Sequence, residues 1–285
     1  MSSSQCATSS TQLIEGLVAD MSGEREQLKM VLSQLSGGAW SSATPSPRWS
    51  VHDQIAHLAY FDGIARLSVE SPAEFEKLRD GIVDLQVFID AIGAQHNYLN
   101  GAAMLEWWLE ESERLGRAAM SANSSQRLPW FGPSMSLASM LTARIMETWA
   151  HGQDIHDALG VQRLASPRLR HIARLGVGTF AHSFTVRGRG IPTEPVAVVL
   201  DDVEGGDSWV WGDPSARNVV TGTALDFCLV VTQRRHVDDT DLDVRGAVAG
   251  DWMVIAQAFA GPPGVGRTPQ IASPTNSVST TALKV

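Results

Sequence analysis

The chain has 285 residues, 44% hydrophobic and 19% charged, with a net charge of −9. That length allows two domains and at least one sizeable core. The acidic balance argues against a non-specific nucleic-acid binder, which needs a basic face, and against docking on anionic membranes.

Residues 1–12 are rich in Ser, Thr and Gln. They lack the basic start and apolar centre of a signal peptide, and 1–9 are expected to be disordered. No apolar run approaches the roughly 18–20 residues of a membrane span, so a soluble, cytoplasmic protein is expected. Over 11–36, Leu13, Leu17, Met21, Leu28, Val31, Leu32 and Leu35 fall at mostly helical spacing, and Gly37-Gly38 ends that helix. After a loop at 41–47, Ser50 caps a second helix over about 51–69, with Asp53 taking the place of the usual Glu of a capping box. Pro72 opens a short helix over 73–79. A long helix follows over 84–120, with Gly101 as its candidate kink. Pro129-Trp130-Phe131-Gly132-Pro133 is a rigid aromatic loop and a candidate pocket lid, although packing is the commoner use of such residues.

Ser136 caps a helix over about 137–159 that Gly160 ends, and Pro167 opens another reaching about 186. The pattern then changes. Segments 196–200, 208–211 and 242–244 are short and strand-like, separated by Gly and Asp turns, while 223–233 and 250–259 read as helices. From Gly261 the chain is rich in Gly, Pro, Ser and Thr without an apolar period. The expected organisation is a disordered segment at 1–9, a helical domain at 10–188, a small α+β domain at 189–261 and a disordered tail at 262–285.

Chemistry concentrates in Met146-Glu147-Thr148-Trp149-Ala150-His151-Gly152-Gln153-Asp154 and in Gln54-Ile55-Ala56-His57-Leu58. Glu147 and His151, four residues apart, share one helix face. On a surface helix such a pair is usually a weak ion pair. Here Leu141, Ile145, Thr148 and Ile155 make the face apolar, and a carboxylate rarely goes inside unpaired. His57 is flanked by Ile55, Ala56 and Leu58 and faces inward as well; its plainer alternative is a satisfied core histidine. Three inward ligand-type residues on two helices favour one metal, and three protein ligands with an open position are what a catalytic zinc site needs.

Asp154, three residues past His151, could orient that imidazole or lie on the helix surface. Arg144 could meet a substrate anion or pair with an acid. Arg234-Arg235-His236 either complements a helix C-terminus or walls a pocket, with Arg235 as a candidate cofactor contact. His52 is read as exposed. His156 is read as pointing away from the site. Cys6 and Cys228 sit at no ligand or disulfide spacing, which suits a reducing compartment.

Three features in order carry a resemblance. They are Trp49-Ser50-Val51-His52-Asp53-Gln54-Ile55-Ala56-His57-Leu58, then Glu147-Thr148-Trp149-Ala150-His151-Gly152-Gln153-Asp154-Ile155, then Ala158-Leu159-Gly160. This pattern resembles the mycothiol-dependent maleylpyruvate isomerase family within the DinB-like metalloenzymes, and looks most like an actinobacterial branch of it. The resemblance spans about 10–260. It implies a four-helix bundle with His57, Glu147 and His151 as metal ligands, zinc being the expected ion. It also implies a small C-terminal domain similar to sterol-carrier proteins, carried by Gly222-Thr223-Ala224-Leu225-Asp226-Phe227 and Arg234-Arg235.

The resemblance does not fix the substrate, since fold is a poor guide to reaction. The leading expectation is a zinc enzyme on a small, anionic metabolite, transferring a thiol or isomerising with mycothiol, in a natural-product pathway among other settings. The alternatives are a metal-dependent hydrolase or ring-modifying enzyme without a thiol, and a non-enzymatic small-ligand binder. A zinc-containing regulator such as an anti-sigma factor is weaker, for want of cysteine ligands. The expected partners are a small-molecule substrate, no nucleic acid and no membrane, in a monomer or homodimer.

Overall fold

A computed structural model describes residues 3–270, with side chains from residue 10 onward. Four long helices form the first layer: α1 (Ser3–Leu32), α2 (Val51–Glu70), α5 (Gly101–Ser121) and α6 (Leu137–Leu159). Each of α1 and α2 packs against both α5 and α6, which makes a four-helix bundle. Two shorter helices, α3 (Pro72–Asp80) and α4 (Leu85–Gln95), lie against α2. α1 begins at Ser3, inside the segment expected to be disordered.

Local chemistry sets the ends of the helices that carry the site. At Ser50 the capping box is complete: the Asp53 amide donates to Ser50 Oγ at 3.3 Å, and the Ser50 amide donates to Asp53 Oδ2 at 2.8 Å. Ser136 caps α6 through the Ser139 amide at 3.1 Å. Gly160 ends it in the left-handed region, at a φ of 63°.

The single helix expected over 84–120 is two, with a break at 96–100. Asn100 takes the N-cap, accepting from the Ala103 amide at 3.0 Å, and the Leu99 carbonyl is turned out to His52 Nε2 at 3.1 Å. Side chains here satisfy backbone groups that a continuous helix would have paired. His52 is therefore half-buried and partnered, not exposed. The aromatic loop is held between β1 (Arg127–Leu128) and β2 (Met135–Ser136), which pair antiparallel. Trp130 stacks on Phe75 at 5.7 Å, so packing is its role.

The helix expected from Pro167 is also two, α7 (Leu169–Gly178) and α8 (Phe180–Thr185), which turn at Thr179. A four-stranded sheet follows. It contains β3 (Val196–Asp201), β4 (Trp209–Trp211), β5 (Asn218–Thr223) and β6 (Asp243–Arg245), in the order β4-β3-β5-β6. β3 and β5 are parallel and the other pairs antiparallel. β5 is a strand the sequence pattern does not announce. Its consecutive Val219 and Val220 point to opposite faces and are both buried, so it lacks the alternation of a half-exposed strand.

Helices α9 (Ala224–Val231) and α10 (Ala247–Ile255) complete this unit. Its core, built on Trp252, Phe227 and Phe184, also takes in Leu169, Ile172 and Ala173 of α7 and Met146, Trp149 and Ala150 of α6. The sheet unit and the bundle therefore share α6, the helix that carries Glu147 and His151. Residues 262–270 carry no helix or strand, but this described part of the expected tail is tied down. Arg267 reaches Asp154 at 2.9 Å, and the Gln270 amide donates to Asp239 at 2.9 Å. The rest of the expected tail, 271–285, lies outside the described residues. Among the described residues no helix is long and apolar enough to cross a membrane.

Two buried carboxylates, each paired with arginine, lock the bundle. Glu24 of α1, with no exposed surface, accepts from Arg163 Nη2 and Arg168 Nε, both at 2.7 Å. Asp62 of α2 accepts from Arg144 Nε of α6 at 2.8 Å. Removing one partner strands the other charge in the interior. Glu24→Ala should lower the unfolding free energy by about 3–5 kcal/mol, measured by urea denaturation. A loss within the error of the measurement would show that Arg163 and Arg168 find other partners.

Candidate metal centre

His57 lies in the second turn of α2, and Glu147 and His151 lie one turn apart on α6. The bundle brings the three together. His151 Nε2 is 3.1 Å from Glu147 Oε2, and His57 Nε2 is 3.5 Å from the same oxygen. One candidate ligand atom from each residue lies within 4.8 Å of the others, and these three form the group of potential metal-binding side chains found among the described residues. The two imidazoles are 4.5 Å apart between ring centres. Trp49 stacks on His151 at 5.6 Å and tilts against His57 at 5.2 Å. Phe61 covers the other side of His57 at 4.6 Å. Glu147 has the most exposed side chain of the three, at 26%.

The electrostatics follow from this placement. Burial, with His151 close by, pushes His57 down to about 4, so at neutral pH it is an uncharged imidazole able to offer a lone pair. Burial alone would raise the Glu147 carboxyl. The hydrogen bonds and charges of the two imidazoles overcome that and hold it well below the ordinary carboxylate range. An anionic oxygen and two imidazole nitrogens, set at the wall of a bundle, are the donor set that zinc and similar divalent ions take.

Contacts behind the ring of His151 strengthen the fit. Gln54, three residues before His57 on the same face of α2, places its Oε1 against His151 Nδ1. A proton on Nδ1 satisfies that contact. Nε2, facing the Glu147 carboxylate, then needs a second proton or a cation between the two. His57 departs from this pattern: its Nδ1 is buried with no hydrogen-bond partner.

Asp154 does not touch His151. It is fully buried and accepts from Ser46 Oγ, Arg234 Nη2 and Arg267 Nη2, each at 2.9 Å, and from Gln54 Nε2 at 3.5 Å. Burial would raise its carboxyl, but Arg234, His151 and Arg267 hold it below its ordinary value. Its position behind Gln54 keeps it out of the triad, so no fourth carboxylate, histidine or cysteine joins the three among the described residues.

Arg144 lies beside the triad but is only 3% exposed and is engaged by Asp62 and, at 3.4 Å, by the Leu58 carbonyl. Of its two expected roles the structure places it in the acid pair. Arg235 makes a two-pronged contact with Asp157, at 2.6 and 2.8 Å. Together with Arg234, Arg267 and His156 it lines a cavity of about 660 Å³ that contains none of the triad. His156 is buried and its Nδ1 meets the Gly152 carbonyl at 2.7 Å. A second cavity of about 550 Å³, lined by Trp40, His52 and Asn97 among others, meets the triad only through Trp49. Cys228 is buried in the core of the sheet unit, where burial raises its thiol well above the usual range.

Gln54 and Trp49 are the contacts that sequence reasoning passes over. A signal for Gln54 exists in its spacing, since i and i+3 share a helix face with His57. Trp49 lies before the cap of α2 and has no periodic signal.

Known proteins bear on this geometry. Residues 21–156 match the model of the mycothiol maleylpyruvate isomerase N-terminal domain. An uncharacterised protein of Mycobacterium tuberculosis, in strains CDC 1551 / Oshkosh and ATCC 25618 / H37Rv, is 42% identical over 251 residues, covering 88% of this chain and 97% of the relative. The crystal structure of the mycothiol-dependent maleylpyruvate isomerase superposes with a TM-score of 0.55 at 16% identity, covering 78% of this chain and 89% of that one. A histidine-to-alanine mutant of that enzyme superposes equally well. The solved structures establish a shared fold at that identity. Residues 21–156 belong to the mycothiol maleylpyruvate isomerase N-terminal domain family, and the chain as a whole belongs with its Mycobacterium tuberculosis relatives.

Proposed function

We propose that this chain is a metal-dependent enzyme in which His57, Glu147 and His151 hold zinc, and that it transfers or isomerises a small, anionic metabolite with mycothiol as the thiol co-substrate. The observation that carries this reading is the convergence of three donors on one point, with Asp154, three residues past His151, withheld by its own partners. An ion held by three protein ligands keeps a position open to exchange, which catalysis requires and a structural site does not. When bound, such an ion supplies Lewis acidity, which ionises a thiol or water near neutral pH and polarises a carbonyl.

The chain's own residues do the remaining work. His57 is uncharged and Glu147 anionic before any ion arrives, so neither has to lose a proton at neutral pH. Trp49 and Phe61 wall the imidazoles and keep water from their faces. Arg235 keeps 30% of its side chain exposed at the 660 Å³ cavity, which suits an anionic group of the co-substrate. The thiol is supported by the family of the chain. The small-molecule substrate and a cytoplasmic setting accord with that family, and the sterol-carrier likeness remains a proposal for the sheet unit.

The full chain, purified without a histidine tag or chelators, should carry about one zinc by plasma mass spectrometry, and His57→Ala and His151→Ala should carry none while remaining folded. A folded His151→Ala protein with full metal content would remove the site. Adding mycothiol to the cobalt-loaded protein should produce a thiolate-to-cobalt charge-transfer band. Metal-loaded protein without that band would leave the hydrolase alternative in its place. Arg144→Ala should cost about 3–5 kcal/mol in urea denaturation and leave zinc content unchanged. Loss of zinc at full stability would instead give Arg144 a part in the centre.

A further inference from the structure

The hydrogen bonds behind His151 form a chain whose direction can be deduced. Thr44 Oγ1 donates its one proton to the Trp49 carbonyl at 2.8 Å, so towards Gln54 Nε2, 2.9 Å away, it presents only lone pairs. The Asp154 carboxylate, held anionic by its arginines, also presents only lone pairs to the same nitrogen at 3.5 Å. If the Gln54 amide were turned over, its oxygen would face two acceptors with no proton between them. The amide is therefore fixed with its nitrogen towards Thr44 and Asp154 and its oxygen towards His151 Nδ1.

We infer that Gln54 is a positioning residue that holds a proton on His151 Nδ1 and so assigns Nε2, the nitrogen facing Glu147, to the metal, and that the C-terminal part of the chain holds this relay in place. This rests on the metal reading of the triad given above. The second half of the inference comes from the partners of Asp154. Arg234 belongs to the segment after α9, and Arg267 to the chain that follows the sheet unit. Arg267 spans two elements of the relay: Nη2 holds Asp154 Oδ1 at 2.9 Å, and Nη1 donates to the Pro45 carbonyl. Pro45 lies between Thr44 and Ser46, the loop residues that bond Gln54 and Asp154. The arginine therefore pins the loop and the carboxylate together from outside the bundle. The sheet unit thus reaches His151 through three consecutive polar contacts, without contributing a ligand.

Outer contacts of this kind typically change metal affinity by about 10–100-fold when lost. Two measurements on the full chain test the relay: zinc affinity by competition with a chromophoric chelator, and the proton on His151 Nδ1 by long-range proton–nitrogen NMR and its exchange with solvent in metal-free protein, the signal assigned by its absence in His151→Ala. Wild type should show a slowly exchanging Nδ1 proton, whether or not Nε2 holds a second one. Gln54→Ala should lose that slow exchange and bind zinc about 10–100-fold more weakly. An unchanged Nδ1 proton with wild-type zinc affinity in folded Gln54→Ala overturns the inference. Arg267→Ala, at a side chain 24% exposed, should weaken zinc by about tenfold, the low end of that range. Wild-type affinity and Nδ1 exchange there would overturn the C-terminal half, and this variant decides the matter if Gln54→Ala does not fold. A wild-type protein that binds no zinc removes the metal reading alone, because the Nδ1 comparison on metal-free protein still tests the relay.

Discussion

Glu147 Oε2 lies 3.1 Å from one imidazole nitrogen and 3.5 Å from another, and an anion in that setting cannot be left without positive charge. Protons on the histidines are one source of it, but burial works against a proton on His57. A divalent ion is the other source, and it meets an uncharged His57 and an ionised Glu147 already in place. Much of the local architecture serves this one requirement. Aromatic rings close the flanks of the histidines, the capped start of α2 fixes the height of His57, and a fixed amide sets the rear of His151.

The same treatment of buried charge recurs through the molecule. Glu24, Asp62 and Asp154 are each almost or wholly removed from solvent, and each is answered by one or two arginines from a distant part of the chain. Pairs of this type add little net stability over well-packed apolar residues, because desolvation offsets much of the attraction. They are costly to misplace, however. Each therefore selects one arrangement: α1 against the α6–α7 connection, α2 against α6, and the C-terminal segment against the back of the centre.

The sequence makes the triad readable because its signals are local. Glu147 and His151 share a face by helical spacing, apolar neighbours mark that face as interior, and His57 repeats the mark on another helix. The helical part, the change of character near Gly188 and the caps at Ser50 and Ser136 are readable for the same reason. What escapes is non-local. Arg144 has its acid 82 residues away on α2, and no spacing rule links the two. Gln54 is a common helix residue until Thr44 and Asp154, one of them 100 residues distant, fix which way its amide points. The apolar period runs on through 96–100, and only the cap formed by Asn100 and the turned-out Leu99 carbonyl end the helix there. β5 lacks alternation because Val219 and Val220, on opposite faces of the strand, are both buried.

The span of these joints also bears on how the protein comes off the ribosome. His57 is made early, but His151 follows almost a hundred residues later, and Glu24 waits 139 residues for Arg163. Arg267 closes on Asp154 across a further 113. Chains emerge at roughly 5–20 residues per second, so the first helix passes through a period in which its buried acid has no partner and its apolar stripe nothing to cover it. The bundle cannot settle until α6 is out, and the back of the centre cannot settle until the segment beyond the sheet unit has left the exit tunnel. The centre is thus the last region to become orderly during synthesis, and a chain cut short before Arg267 would present the ligands without the clamp behind them.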